Sequence, residues 1–154
     1  EVIKETLAPL TRKDGENPAK VVEELREMMQ YKVGIIRTEK LLKEALLDLD
    51  ELEIRGKNTS SGNSKIYNPG WHQALEINAM IDVSRMCTLA ALHREESRGG
   101  HTRDDFPVPD YKYWGKINSV ITKKEVMSIE HRRYPKISED LKDLLDIQDL
   151  HEEE

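Results

Sequence analysis

The segment "NPGWHQALEINAMIDVSRMCTLAAL", residues 68–92, predicts the long helix around which the rest of this chain must pack. Asn68 supplies an N-cap and Pro69 suits the first turn, so a long helix is predicted from Trp71 to about Glu96. Its apolar side chains lie on most sides of that helix: Leu75, Ile77, Met80, Ile81, Val83, Met86, Leu89, Ala90 and Leu92. A helix of this kind needs neighbouring elements on most sides.

Two amphipathic helices precede the long helix and cover part of it. Asn17 and Pro18 start the first, over about residues 18–31, and Thr38 caps the second. Each has one apolar stripe, formed by Val21, Val22, Leu25, Met28 and Met29 in the first and by Leu41, Leu42, Ala45, Leu46, Leu49 and Leu52 in the second. A short loop joins them, which predicts an antiparallel pair. The remaining side of the long helix must be covered by the C-terminal third or by another domain.

The C-terminal third predicts a small β-hairpin. Apolar and polar residues alternate over 117–121 and again over 127–131, on either side of a turn at Lys123 and Lys124. Ser138 then caps a short final helix, and an acidic tail follows. The apolar face of that helix contains Leu141, Leu144 and Leu145.

Composition limits the function. The chain has 154 residues, of which 37% are hydrophobic and 35% charged, and a formal net charge of -6. These values indicate one compact acidic domain and argue against a nucleic-acid partner, which would select a basic surface.

The chain contains no apolar run of about 18 residues, so no membrane-spanning helix is expected. The single cysteine, Cys87, cannot form an internal disulfide, and its apolar neighbours predict a small buried side chain in a reducing compartment.

The residue patterns that mark common active sites are missing from the sequence. Gly99 and Gly100 follow the long helix, where they would end it, and do not open a phosphate-binding loop after a strand. Cys87, His93 and His101 lack the spacing of zinc ligands. The sequence therefore assigns no catalytic, cofactor-binding or metal-ligating residue.

The segment "ALHREESRGGHTRDDFPVPD", residues 91–110, places many charges at the end of a helix predicted to be buried. One interpretation is a solvated helix end whose ion pairs contribute about 0 to 1 kcal/mol each. The other is a clamp to another domain, because Phe106 and Pro107 suit a free loop poorly and arginines bind carboxylates bidentately at interfaces. We interpret the segment as an interdomain clamp. Its candidate residues are Glu96, Arg98, His101, Arg103 and Asp105.

The same residues carry a family resemblance. The pattern is Glu-Ser-Arg-Gly, a small residue, His, then a basic and an acidic residue, and it comprises Glu96, Ser97, Arg98, Gly99, Gly100, His101, Arg103 and Asp105. It resembles the signature of the C-terminal helical domain of succinate dehydrogenase and fumarate reductase flavoprotein subunits, a family that includes L-aspartate oxidase. Residues 24–52 and 68–92 are similar to its first helical pair and its long third helix. Gly100, before the histidine, resembles succinate dehydrogenase more than aspartate oxidase.

The resemblance implies a mainly α fold. A spectrin-repeat-like three-helix antiparallel bundle would occupy residues 17–110 and end in the charged loop, and the hairpin, short helix and acidic tail would occupy 111–154. Residues 1–16 would be a linker from an N-terminal flavin domain that binds FAD and carries the catalytic residues. The parent protein would interconvert succinate and fumarate and pass electrons to an iron-sulfur subunit. It would lie in the cytoplasm, at the inner face of the cell membrane, through anchor subunits. This chain alone would bind no FAD and be inactive.

Other interpretations stay open at this point. The chain would fit a freestanding helical adaptor that binds a partner protein, or the C-terminal domain of an L-aspartate oxidase. A glycine-rich FAD fingerprint upstream would distinguish the enzyme from the adaptor. Without the flavin domain, the uncovered apolar strip of the long helix predicts self-association. For Arg98, the clamp predicts that truncation weakens flavin retention in the parent and leaves the melting of this chain almost unchanged.

Overall fold

The computed structural model describes residues 2–138 and Leu141, and within them it is mainly helical. The α-helices are α1 (Val2–Thr11), α2 (Pro18–Lys32), α3 (Glu39–Lys57) and α4 (Pro69–His93). The strands are β1 (Ile36–Arg37), β2 (Thr102–Arg103), β3 (Ile117–Lys123) and β4 (Met127–Arg133), with a 3-10 turn at Trp114–Lys116. The predicted fold class, a helical bundle with a small antiparallel hairpin, is confirmed.

The three helix starts of the bundle are set by the predicted caps. The side chain of Asn17 accepts a hydrogen bond from the Ala19 amide, and prolines follow Asn17 and Asn68. Thr38 accepts a bond from the Leu41 amide, and Asn68 accepts one from the Trp71 amide. Each cap satisfies a backbone N–H that the first helical turn leaves without a partner.

The core lies between α2, α3 and α4. One buried cluster comprises Val21, Val22, Leu25, Leu49, Leu52, Ile77 and Ile81, and a second comprises Val33, Leu42, Ala45 and Ala91. Apart from Val33, which directly follows α2, these residues come from the apolar stripes of α2 and α3 and from one side of α4. Helices α3 and α4 approach closely at Gly56, where an added Cβ would lie 2.4 Å from Ile77 Cγ2.

Helix α4 ends at His93, three residues before the predicted end at about Glu96. Arg94 leaves the helix in an extended conformation, and the guanidinium of Arg103 binds the carbonyl oxygens of the last turn. The helix therefore ends where the Arg103 side chain, instead of further helical N–H groups, donates hydrogen bonds to its last carbonyl oxygens. Gly99, with φ of +61°, forms the turn of the loop beyond and does not end the helix.

A helix occupies most of the segment that was predicted to be a linker. α1 packs on the start of α4, where Trp71 Nε1 donates to the Thr6 carbonyl oxygen at 2.8 Å and Pro9 and Leu10 are buried. The local sequence shows little periodicity, so these tertiary contacts are what stabilise the helix. The assignment of residues 1–16 as a connection to another domain stays a prediction.

One side of α4 is left uncovered by the described residues. Leu75, Ala79 and Cys87 are exposed, and Val83 exposes 58% of its surface. With the half-buried Met86 and Ala90, the apolar residues form a strip at spacings of three and four along the helix. Its five members, which border Cys87, are Leu75, Ala79, Val83, Met86 and Ala90. The prediction that Cys87 is buried was wrong, because its side of the helix faces away from α2 and α3. We call these six residues the α4 strip.

The hairpin has the predicted position, but its turn lies at residues 124–126, because Lys123, predicted to be in the turn, is the last residue of β3. β3 and β4 pair antiparallel, with Ile117 opposite Arg133 and Lys123 opposite Met127. Lys123 pairs with Asp82 and so joins the hairpin to α4. The predicted final helix falls mostly on residues outside the described part of the chain. No helix of that part is long and apolar enough to cross a membrane.

Candidate functional site

Residues 94–110, here called the signature loop, lie at the end of the bundle where α2 meets α3. β2 of this loop pairs in parallel with β1, which connects α2 to α3. The Thr102 amide donates to the Ile35 carbonyl at 3.1 Å, and the Asp104 amide donates to the Arg37 carbonyl at 3.0 Å. The loop is therefore fixed to the α2–α3 connection by backbone hydrogen bonds.

Ser97 closes the loop on itself. Its hydroxyl donates to the Phe106 carbonyl at 2.8 Å, lies 3.1 Å from the Arg103 carbonyl oxygen and accepts from the Arg103 amide at 2.8 Å. The Arg98 amide also donates to the His101 carbonyl at 2.9 Å, across the turn at Gly99. A single serine side chain thus sets the path of the segment between two charged clusters.

The first cluster joins two helix ends. Arg103, 1% exposed, donates to both carboxylate oxygens of Asp105 at 2.7 and 2.8 Å. Its Nη1 donates to the Ala91 and Leu92 carbonyls at the end of α4, each at 3.0 Å. Asp105 accepts from the Glu39 amide at the start of α3 at 2.8 Å, and its hydrogen bonds with Arg103 lower its pKa to about 2. The positive charge of Arg103 thus lies at the negative C-terminal end of the α4 dipole, and the negative charge of Asp105 lies at the positive N-terminal end of the α3 dipole.

The second cluster surrounds Glu96, whose side chain is fully buried. Its Oε1 accepts from Arg94 at 2.6 and 2.9 Å and from Arg98 at 3.0 Å, and its Oε2 accepts from the Asp110 amide at 2.8 Å. Burial acts to raise the pKa of Glu96, but the bonds from Arg98, the Asp110 amide and Arg94 outweigh it and hold that pKa below its usual value. Arg98 also donates to the Trp114 carbonyl at 3.0 Å and so reaches the C-terminal third.

His101 lies between the two clusters and is buried. Its Nδ1 is 2.6 Å from Nη1 of Arg37, and its Nε2 is 3.0 Å from the Arg94 carbonyl oxygen. Since a guanidinium can only donate, Nδ1 accepts and Nε2 carries the proton. Burial lowers the pKa of His101, and the nearby cationic Arg37 adds to this effect. The ring is therefore held neutral in one tautomer.

The structure brings all five predicted clamp residues together at one end of the bundle, with their charged groups bonded within this chain. Arg98 remains 30% exposed and Asp105 29% exposed, so both retain a face toward solvent. Contact with another domain stays a prediction. Sequence reasoning did not select Arg37 or Arg94, which complete the network. The position of Arg37, directly before the cap of α3 and after two isoleucines, is the signal that would have found it.

The N-termini of α2, α3 and α4 do not fit the pyrophosphate of FAD, which needs free backbone N–H groups at a helix start. α2 and α4 begin with prolines and are capped by asparagines. The start of α3 is occupied by Thr38 and by the carboxylate of Asp105. No group of three or more potential metal-ligating side chains occurs among the described residues. Nothing in these three helices provides a flavin cradle.

Comparison with known proteins places this site in a family. The family profile described as "Fumarate reductase flavoprotein C-term" matches residues 22–144. The fumarate reductase flavoprotein subunit of Helicobacter pylori is 39% identical over 100 residues, which are 64% of this chain and 14% of that protein. The succinate dehydrogenase flavoprotein subunit of Coxiella burnetii is 33% identical over 102 residues, 66% of this chain and 17% of that protein.

A solved structure extends the similarity to nearly the whole chain. Mycobacterium smegmatis Sdh1, in complex with UQ1, superposes with a TM-score of 0.84 and 34% sequence identity. The match covers 98% of this chain and 26% of the Mycobacterium chain. The chain thus spans about a quarter or less of each of these relatives.

Proposed function

Because the chain belongs to the family of fumarate reductase flavoprotein C-terminal domains, we propose that it braces the flavin domain of a succinate dehydrogenase or fumarate reductase. The complete subunit would interconvert succinate and fumarate, and FAD would supply the hydride chemistry. It would pass electrons to an iron-sulfur subunit and be held at the inner face of the cell membrane through anchor subunits. The catalytic residues would lie outside this chain.

The observation that carries this proposal is the construction of the signature loop. Buried Glu96 and buried Arg103 each form several hydrogen bonds within the chain, so the loop has a fixed shape at the end of the bundle. The arginines that hold Glu96 keep about a third of their side chains exposed. A rigid loop with partly exposed arginines is suited to orienting a neighbouring domain, because little conformational entropy is lost when that domain docks.

Truncation of a partly exposed clamp arginine in the full-length subunit tests the proposal. We expect Arg98→Ala to lower the flavin bound per polypeptide and the rate of succinate oxidation together. Arg26→Ala, at an exposed position on α2, is the matched control. Unchanged flavin content and activity in Arg98→Ala would reject the clamp.

A further inference from the structure

Arg37 has hydrogen-bonding capacity that this chain does not use. Its Nε donates to the Gly34 carbonyl at 2.5 Å, and its Nη1 donates to His101 Nδ1 at 2.6 Å. A guanidinium carries five N–H donors, so three have no acceptor among the described residues. Both acceptors that it does have are uncharged.

The charges around Arg37 are of the wrong sign to balance it. Besides burial, two further cations, Arg94 and Arg103, act to lower the pKa of Arg37, whereas the Cys87 thiol acts in the opposite direction. The two carboxylates of the signature loop, Glu96 and Asp105, are bonded to other arginines. Burial lowers the pKa of Arg37, but a guanidinium stays charged in proteins. A partly buried cation of this kind is destabilising unless an anion reaches it from outside.

Exposed apolar side chains directly precede Arg37 in the chain. Ile35 and Ile36, which precede it in the chain, expose 67% and 62% of their surface. The α4 strip ends near it, since Cys87 belongs to the strip and acts on Arg37 electrostatically. A partly desolvated arginine among exposed apolar side chains is the composition found at the centre of protein interfaces.

We propose that Arg37 receives an Asp or Glu side chain from the flavin-binding part of the same subunit, with Ile35, Ile36 and the α4 strip packed around that ion pair. The identity of the docking body rests on the proposed function. Charge complementarity selects a carboxylate, because the three free N–H groups need an acceptor and the local surplus is positive. The carboxylates of the signature loop, Glu96 and Asp105, already have arginine partners within this chain, so neither of them is free to pair with Arg37.

Alkylation of Cys87 by N-ethylmaleimide reports directly on whether this face is covered. The modified thiol is read by mass spectrometry on the tryptic peptide 86–94, which trypsin releases after Arg85 and Arg94. We expect Cys87 to react at least tenfold more slowly in the full-length subunit than in chain 1–154, with chain 1–154 diluted until its rate no longer changes, so that self-association through the α4 strip does not protect the thiol. Arg37→Met in the full-length subunit should restore most of the fast rate, whereas Arg26→Met should not. A faster reaction in Arg37→Met cannot come from the lost charge itself, because a cation near a thiol favours the reactive thiolate and its removal would slow alkylation.

Each alternative outcome has a distinct meaning. Equal rates in wild-type subunit and chain 1–154 would show an uncovered face and overturn the inference. A slow rate in Arg37→Met would show a covered face without the ion pair, which also overturns it. If protection rises with subunit concentration, a second copy is the occupant and the proposal fails.

Arg37→Gln, which keeps a donor for His101, replaces Arg37→Met in this experiment if Arg37→Met does not fold. If Arg98→Ala loses flavin but Arg37→Met does not change the rate of Cys87 alkylation, the proposed function stands and the inference about Arg37 fails. If the wild-type subunit contains no flavin, the proposed function itself fails.

Discussion

The guanidinium of Arg103 and the carboxylate of Asp105 form a bidentate pair, at 2.7 and 2.8 Å, that spans the C-terminus of α4 and the N-terminus of α3. Arg103 also donates to the Ala91 and Leu92 carbonyls, while Asp105 accepts from the Glu39 amide. One pair therefore satisfies backbone groups at two helix ends that have no partner inside their helices. The charged side chains of this loop therefore stabilise the bundle itself, because they join the ends of α3 and α4.

Replacement of Arg103 by lysine is expected to destabilise the chain by about 3 kcal/mol. An ammonium group cannot bind both oxygens of Asp105 and also reach two carbonyls, so buried polar groups lose their partners. Urea unfolding of chain 1–154 measures the loss, with Arg26→Lys as the control. A change below about 0.5 kcal/mol would show that solvent replaces Arg103 at the helix end.

Acidification should weaken the chain through Asp105. Its pKa in the folded protein is about 2 against 3.8 for a free side chain, so the unfolded state binds the proton more readily. The stability from this group is complete above about pH 4 and is lost as the pH falls toward 2. The urea midpoint of Asp105→Asn should vary less over that range than that of the wild type. Asp104→Asn, at the adjacent exposed position, should keep the wild-type slope.

A second pH dependence is expected from His101 at higher pH. Its pKa in the folded protein is lowered, so stability is present above the unfolded pKa of about 6.5 and declines as the pH falls below it. His101→Gln keeps an acceptor for Arg37 and a donor for the Arg94 carbonyl, and it should flatten the slope below pH 6.5. NMR titration of the ring measures the pKa directly, with His93→Gln to assign the resonance. A ring that titrates at 6.5 or above would contradict the neutral tautomer.

The close approach of α3 and α4 predicts a strong effect at Gly56. A Cβ there would lie 2.4 Å from Ile77 Cγ2, so the helices must move apart or the isoleucine must leave its position. We expect Gly56→Ala to lower the free energy of unfolding by about 1 to 3 kcal/mol, although alanine is the better helix former. Gly100→Ala, where nothing lies within 4 Å of an added Cβ, is the control.

The bundle was predictable from sequence because its signals are local. The caps at Asn17, Thr38 and Asn68 and the apolar spacing behind them specify helix starts and faces within a few residues. The hairpin has the same property, since strand alternation and a short turn lie in one segment. α1 was missed because its stability depends on a contact of Thr6 with Trp71, which is 65 residues away.

The site was predictable only in part. The alternation of charges identified the right segment, but the partners of those charges depend on the path of a loop. Arg98 reaches the Trp114 carbonyl 16 residues away, and Arg37 meets His101 across 64 residues. Burial of Cys87 was wrongly predicted for a related reason, because its apolar neighbours do not reveal which side of α4 is covered.

Glu96 and Arg98 provide the last prediction. Glu96 is fully buried, and Arg98, Arg94 and the Asp110 amide all donate to it. Removal of Arg98 leaves the carboxylate with one arginine and the Trp114 carbonyl without its donor. The sequence alone predicted almost no effect on this chain, but these contacts predict a measurable one.

We expect Arg98→Ala to lower the free energy of unfolding of chain 1–154 by about 1 to 3 kcal/mol, because the remaining Arg94 still compensates the buried charge. Removal of both arginines should cost about 3 to 5 kcal/mol or abolish folding, because an uncompensated carboxylate is then buried. Urea unfolding of the single and double variants measures both, with Arg26→Ala as the control. If Arg98→Ala leaves chain 1–154 unchanged while the full-length subunit loses flavin, Arg98 acts on another domain alone. If both lose stability by the same amount, its role is confined to the network around Glu96.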